Sequence, residues 1–224
     1  YYINLGTNVV VNDKRKISDI DSMMNGHSYL PYNQMFGSYT QGGQYNLGYM
    51  NFGVFTGDNG NGDYSVNVGK TFWIGNNFGL HTSVGHLNEQ DTWLGNNSDG
   101  ILAVGDNNTT NYGQIGASYQ IGNNVLSIDY SKGYTDINTN TNSLITGFNN
   151  VETESYKLAY EIHKDKHNTF GWSFSLPSHI TSGTMDLEVA ESVNLDGTIN
   201  YTTINSTLKQ STKEKNIGFF YSHT

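Results

Sequence analysis

The chain has 224 residues, a formal net charge of −9, a pI near 5.0 and no cysteine. The lack of cysteine excludes disulfides, thiolate chemistry and cysteine–zinc sites, and the acidic balance argues against nucleic-acid binding. The hydrophobic fraction of 35% and mean hydropathy of −0.53 exclude a transmembrane helix, although the strands of a membrane barrel carry a much weaker hydropathy signal.

The first part of the chain is predicted to be a strand followed by a polar lead-in. Residues 1–11 have strand composition, and residues 12–26 form the most charged early segment, which suits a loop or a short helix. We therefore divide the chain into two parts. Residues 1–43 hold the N-terminal strand and polar lead-in segment, and residues 44–224 form one large β domain.

Two-residue alternation recurs from Gln44 onward, which is the period of a β-strand. Two hairpins share an Ile-Gly-Asn-Asn turn, at Ile74–Asn77 and at Ile121–Asn124. Long polar loops at 88–110 and 136–153 separate the hairpins. Short turns that alternate with long polar loops are typical of outer-membrane β-barrels.

The segment 154–177 has the most unlike faces of any predicted hairpin. Its large apolar residues alternate with Ser, Gly, Lys, Glu and His. A soluble sandwich would turn such an apolar face inward, whereas a membrane barrel turns it toward lipid. Strands near ten residues long favour the barrel, because sandwich strands usually have five or six. The sequence predicts an all-β, antiparallel, up-and-down transmembrane β-barrel.

This interpretation assigns side chains to a lumen and to lipid. The polar residues predicted to line the lumen are Asp129, Lys157, Glu161, Ser173, Asp186 and Glu188. The residues predicted to face lipid are Tyr156, Leu158, Tyr160, Trp172, Phe174 and Leu187. In a sandwich core, each charged residue of the predicted lumen set would be buried without a partner, at a cost of several kcal/mol. A sandwich could instead expose the charges and bury the aromatic rings, so that alternative stays open.

No motif for catalysis, a cofactor or a metal is found. The Gly-x-Ser-x-Gly elbow, the P-loop and the dinucleotide fingerprint are absent. The segment Asp58–Asp63 has the composition of a calcium loop, but its spacing fails the EF-hand pattern and suits a turn. His163 and His167 could meet across a turn without a third ligand nearby. We expect no enzyme activity, no cofactor and no metal.

Several short motifs near the C-terminus carry a family resemblance. They are Ser175–Ile180, Ser182–Leu187, Asp196–Gly197, Lys213–Glu214 and Gly218–Tyr221. Together they resemble the C-terminal translocator barrel of subtilisin-like serine protease autotransporters, with His179 where the family usually has arginine. The resemblance implies a barrel of about twelve strands in full, whose last strands are missing from this chain.

The same resemblance implies a role in type V secretion in the Gram-negative outer membrane. The barrel would anchor and translocate an upstream passenger, and any protease residues would lie in that passenger. Its partners would be outer-membrane lipid, its own passenger segment and the barrel-assembly machinery. The alternatives are a stand-alone porin or surface barrel and a soluble secreted β-sandwich binding module.

Overall fold

A computed structural model describes residues 3–5, 10–11, 40–46, 51–57, 62–97, 100–164 and 168–223. Within these residues the structure is almost entirely β. The strands are β1 (Ile3–Leu5), β2 (Val10–Val11), β3 (Thr40–Asn46), β4 (Asn51–Gly57), β5 (Tyr64–Ile74), β6 (Phe78–Glu89), β7 (Thr92–Trp93), β8 (Asn96–Asn97), β9 (Asn108–Ile121), β10 (Asn124–Asp136), β11 (Ile145–His163), β12 (Asn168–Val193), β13 (Ile199–Thr207) and β14 (Asn216–His223). A short 3-10 helix spans Gly100–Leu102.

The described part of the chain contains no helix that is both long and apolar enough to cross a membrane. The predictions for residues 12–26, for residues 58–61 and for His167 lie outside the described residues.

Twelve of these strands form one antiparallel sheet. Consecutive strands pair from β3 to β6 and from β9 to β13, β6 pairs with β9, and β1 pairs with both β2 and β3. The order is β13-β12-β11-β10-β9-β6-β5-β4-β3-β1-β2, and β14 also pairs with β12. Strands β7 and β8 form a separate small hairpin in the connection from β6 to β9. The predicted all-β, antiparallel, up-and-down architecture is confirmed. Among the described strands, the two edges of the sheet do not pair with each other.

The two predicted Ile-Gly-Asn-Asn turns close hairpins. Ile74 pairs with Phe78 at the β5–β6 turn, and Ile121 pairs with Asn124 at the β9–β10 turn. Gly75 and Gly122 have φ values of 65° and 60°. Glycine adopts this left-handed conformation without a steric penalty, which explains its place in both turns.

Strand β12 has two partners along one side. Thr184 pairs with Thr207 of β13, and Ser175 pairs with Asn216 of β14. The intervening segments 176–183 and 208–215 are equal in length, so β14 resumes the register of β13. Pro177 lies in the interrupted stretch and has no N–H to donate to a ladder. The segment from Ile199 to His223 therefore follows β12 as one interrupted strand.

Candidate functional site: an apolar belt around a polar interior

Burial alternates along the central strands in the sense opposite to that of a soluble protein. The buried polar residues of β9 and β10 include Asn108, Thr110, Gln114, Ser118, Ser127, Asp129, Ser131 and Thr135. Exposed large apolar residues lie between them, including Ile115, Tyr119, Ile121, Leu126, Ile128 and Tyr134. A soluble sheet buries its apolar face, whereas a membrane barrel presents it to lipid. The sheet therefore has the exposed apolar face and the buried polar face of a membrane β-barrel.

The outward apolar residues of neighbouring strands form continuous rows, because each is the register partner of the next. One row is Ile74, Phe78, Tyr119, Leu126, Tyr160, Trp172 and Phe219. The next row toward the long loops is Phe72, Leu80, Ala117, Ile128, Leu158, Phe174 and Ile217. Every member of both rows is apolar or aromatic.

Two flanking rows complete this surface. Ile162, Phe170 and Tyr221 continue it toward the short turns. Ile115, Tyr130, Tyr156 and Leu176 continue it toward the long loops. We call the four rows the apolar belt. Rows two residues apart make the belt roughly 20 Å tall along a strand, close to the ~25 Å apolar band of outer-membrane barrels.

Aromatic rings are in contact across the belt. The ring centroids of Tyr160 and Trp172 are 6.5 Å apart, and those of Phe170 and Tyr221 are 4.8 Å apart. Tyrosine and tryptophan are enriched where barrels meet the membrane interface. These pairs lie in the two rows nearest the short turns. The rings of Tyr130 and Tyr156, with centroids 5.0 Å apart, lie in the row nearest the long loops, so aromatic pairs flank the belt at both ends.

Charged residues mark the other border of the belt, toward the long loops. Lys132 Nζ lies 2.8 Å from Glu152 Oε2 and 5.2 Å from the ring centroid of Tyr134. The Tyr156 hydroxyl donates to Glu154 Oε2 at 2.9 Å. Tyr156 belongs to the belt and Glu154 lies just beyond it, so this hydrogen bond crosses the border. The charges indicate where the lipid-contacting surface ends.

The opposite face of the same strands, here called the interior face, is polar. Its central row is Thr71, His81, Gly116, Asp129, Lys157, Ser175 and Asn216. Hydroxyl groups pair along neighbouring rows, with Ser131 Oγ 2.6 Å from Ser155 Oγ and Thr110 Oγ1 2.9 Å from Thr135 Oγ1. Small hydroxylic and charged side chains of this kind line the lumen of a barrel.

Four of the six residues predicted to line the lumen lie on the interior face. Asp129 is the register partner of Lys157, and Ser173 is the partner of Ala159 and Gly218. Glu161 Oε2 lies 3.3 Å from His163 Nε2. Asp129 and Glu161 are each 6% exposed, so these carboxylates are buried on the interior face. The described residues contain no group of three or more His, Cys, Asp or Glu residues able to hold a metal ion.

The other predicted site residues divide between the belt and a region beyond it. Tyr156, Leu158, Tyr160, Trp172 and Phe174 all belong to the belt. Asp186, Leu187 and Glu188 lie farther along β12, on the loop side of the charged border. Asp186 accepts from Asn205 Nδ2 at 2.6 Å, and Leu187 pairs with Ile145, which is 5% exposed. The belt and the central interior row do not reach these three residues.

Register shifts separate that region from the belt. The pairing of β11 with β12 shifts at several points between Ile145 and Tyr156. Within this stretch Asn150 has a φ of 50°. On the facing part of β12, Gly183 has a φ of 136°, and a Cβ atom at this position would lie 3.1 Å from the Cα of Val151. A bulge adds a residue to one strand and interrupts the simple alternation of faces. Alternation from Phe174 therefore does not extend to Leu187.

An apolar cluster at the long-loop end was not predicted from the sequence. We call it the loop cluster, and its buried members are Leu87, Leu94, Val104, Tyr112, Ile137, Val151 and Ile180. Trp93, Phe148 and Leu208 pack against it. Leu87 and Tyr112 come from the interior face, while Leu94 and Val104 come from the loop that joins β6 to β9. That loop therefore covers the interior face at this end.

Two carboxylates fasten the β6–β9 loop. Glu89 Oε2 accepts from the backbone N–H of Leu94, and Glu89 Oε1 accepts from that of Gly95, each at 2.7 Å. Asp63 Oδ1 accepts from the backbone N–H of Gln90 at 2.7 Å. Glu89 lies beyond the belt and is 1% exposed. Burial raises its pKa to about 7, the two backbone donors oppose that shift, and the charge of Asp63 adds to it.

Asn108 joins three stretches of chain at the same end. Its Nδ2 donates to Thr92 O at 2.7 Å and to Gly105 O at 2.8 Å. Its Oδ1 accepts from the backbone N–H of Asn138 at 2.8 Å. Asn108 is 0% exposed, so water cannot replace these partners. The loop cluster is therefore held by directed polar contacts in addition to apolar packing.

No protein-family model and no curated protein matches the chain. Two solved structures are similar to it. One is OmpTdeltaL8, a loop L8 deletion mutant of OmpT, an outer membrane protein of Vibrio cholerae, at 10% identity and a TM-score of 0.40, covering 83% of this chain and 66% of that one. The other is in-vitro folded OmpT of Vibrio cholerae, at 12% identity and a TM-score of 0.40, covering 83% of this chain and 63% of that one.

The chain spans about two thirds of the length of these two solved chains. The strand order, the register and the inverted burial of the chain itself define its fold.

Proposed function

We propose that the chain is an outer-membrane β-barrel of a Gram-negative bacterium. The observation that carries the proposal is the inversion of burial, in which Ile128 is 58% exposed while its neighbour Asp129 is 6% exposed. In water, the belt would be a large exposed apolar surface of the kind that causes aggregation. In a bilayer, the same surface contacts acyl chains, and the polar interior stays hydrated.

The three tryptophans provide a direct test. Trp172 lies in the belt, Trp93 packs against the loop cluster, and Trp73 lies on the opposite face from the belt as the register partner of Gly79. Three variants that each keep one tryptophan would be inserted into vesicles with brominated acyl chains. We expect strong quenching of Trp172 and weak quenching of Trp93 and Trp73. Equal quenching of all three, or a folded monomer in water without detergent, would contradict the proposal.

The more specific proposal is a translocator and anchor for an upstream passenger, as the autotransporter resemblance implies. The polar interior face supports it, because an extended hydrated chain needs a path lined by side chains such as Ser131, Ser155 and Asp129. The barrel then has no chemistry of its own, and any catalytic residues belong to the passenger. Insertion would require the barrel-assembly machinery and outer-membrane lipid.

Surface display tests the translocator role. An epitope-tagged segment placed before residue 1 is expected to reach the cell surface, where added protease can digest it. A correctly inserted barrel whose tagged segment stays protected inside the cell would exclude translocation while leaving the membrane location intact.

A stand-alone surface barrel is the second candidate, and the loop cluster favours it. Leu94 and Val104 cover the interior face at the long-loop end, where a passenger or a solute would pass. Conductance across a planar bilayer tests this role. The intact chain is expected to give small, rare openings, and deletion of residues 92–106 is expected to give larger ones. A large steady conductance from the intact chain would show that the cluster does not obstruct the interior.

A further inference from the structure

The segment 208–215 is the most basic part of the described chain. It contains Lys209, Lys213 and Lys215 with one acidic residue, Glu214, so its three positive charges and one negative charge give +2 within a protein of net charge −9. All three lysines are exposed, and in the described residues none of them is ion-paired. A concentration of unpaired positive charge in an acidic chain identifies a surface suited to an anionic partner.

The position of the segment along β12 shows at which level of the belt the anionic partner would lie. Residues 208–215 run alongside residues 176–183 of β12. Leu176, at one end of that part of β12, belongs to the belt. Leu208 N donates to Gly183 O at 2.9 Å and Gln210 N donates to Ile180 O at 3.1 Å, so the segment is held against β12. It therefore lies at the loop-side border of the belt.

The sequence of β14 joins this basic segment to the apolar surface. Ile217, Phe219 and Tyr221 are 69%, 83% and 57% exposed and follow one another at two-residue spacing. Lys215 immediately precedes β14 at the same spacing, and Lys213 lies two residues earlier in the connection from β13. An apolar column that ends in lysines matches a bilayer in depth, with acyl chains beside the aromatic residues and phosphate groups beside the ammonium groups.

We propose that Lys209, Lys213 and Lys215 form a docking surface for the phosphate groups of anionic membrane lipids at the loop-side border of the belt. The inference rests on the proposed membrane location and adds a lipid class to it. Lys132 is not included in this surface, because its ammonium group already contacts Glu152. The surface would fix the depth of the barrel in the bilayer.

Two triple variants test the proposal. K209Q/K213Q/K215Q removes the three charges, and K209R/K213R/K215R keeps them as a matched control. Each protein would be inserted into phosphatidylcholine vesicles and into phosphatidylcholine–phosphatidylglycerol vesicles of the same acyl length, and its unfolding equilibrium in urea measured. One basic residue near an anionic surface changes an equilibrium roughly five-fold, so three give about 100-fold.

We expect the glutamine variant to lose about 100-fold in folding equilibrium constant in the anionic vesicles beyond its loss in the neutral ones. The arginine variant should behave as the natural chain, and the difference should shrink in high salt. Equal losses in the two vesicle types would overturn the lipid proposal alone. Failure of the natural chain to insert into either vesicle would overturn the membrane location as well, so the two failures are distinguishable.

Discussion

The ring of Tyr112 lies against the Cα of Gly85 on the neighbouring strand, so closely that a Cβ atom at position 85 would overlap it. Tyr112 is 4% exposed, and its hydroxyl lies 3.5 Å from Ser65 Oγ. The same ring is a member of the loop cluster. This glycine is needed for close approach of a side chain and not for a turn, and the contact connects the interior face to the cluster above it.

Substitution of Gly85 by alanine is expected to destabilise the fold. The added methyl group would displace the Tyr112 ring and disturb the loop cluster, at a cost of about 1–3 kcal/mol. Gly113 is the matched control, because a Cβ there would meet nothing within 4 Å. Urea unfolding in vesicles should show a loss for Gly85→Ala and little change for Gly113→Ala. Similar values for the two variants would mean that the ring moves aside freely.

Local periodicity accounts for what the sequence could predict. Alternation through Tyr156, Leu158 and Tyr160 predicts one face of a strand, and the structure places all three in the belt. Glycine at positions 75 and 122 predicts tight turns, because few other residues adopt the required φ. These features depend on neighbouring residues only, so the strands and hairpins could be predicted without knowledge of the tertiary structure.

Contacts distant in sequence account for what was missed. Leu94 and Val104 belong to short apolar runs in a polar loop, and the neighbouring Ile101 and Leu102 are exposed, so only the packing in the loop cluster shows which members are buried. The register shifts between Ile145 and Tyr156 depend on how β11 pairs with β12, which periodicity within β12 cannot reveal. The positions of Asp186 and Leu187 beyond the belt follow from those shifts.

An arginine in the middle of the belt is expected to block assembly. Leu158 lies between Ile128 and Phe174 in a central belt row, so Leu158→Arg would place a charge at mid-bilayer depth. The expected cost is about 2–4 kcal/mol. Tyr201→Arg is the control, since Tyr201 is 51% exposed on β13 beyond the belt, and its expected effect is within about 0.5 kcal/mol. Folding free energies in vesicles provide the comparison, and equal costs would exclude lipid contact at Leu158.

The β6–β9 loop is expected to loosen as the pH rises through neutrality. The pKa of Glu89 is raised from 4.5 to about 7 in the fastened loop. Proton binding therefore favours the fastened state: its contribution is complete below pH 4.5 and is lost as the pH rises through about 7. The shift corresponds to roughly 3 kcal/mol at most.

Trp93 can report this change, since its ring centroid lies 5.7 Å from that of Phe148. In a W73F/W172F background, the fluorescence of Trp93 should change with a midpoint near the pKa of Glu89, about 7. Glu89→Gln cannot ionise and should remove the transition. A transition that persists in that variant would assign the pH response to another group.

Loss of Asn108 is expected to release the loops more strongly than loss of any exposed asparagine nearby. Asn108→Ala leaves the N–H of Asn138 and the carbonyl groups of Thr92 and Gly105 without their partner, at about 1–3 kcal/mol for each buried group left unsatisfied. Asn111→Ala is the control, because Asn111 makes an exposed hydrogen bond to His86 at 2.8 Å. Protease cleavage within residues 90–107 should rise sharply for the first variant only.

Asn108→Asp separates the two sides of this contact. The aspartate keeps the acceptor for the N–H of Asn138 and loses the two bonds that Nδ2 donates to the β6–β9 loop. Cleavage of that loop should therefore increase while hydrogen exchange at the Asn138 amide stays slow. Equal loss of protection at both places would mean that the loops open as one unit, so that Asn108 stabilises the whole loop end and not two separate contacts.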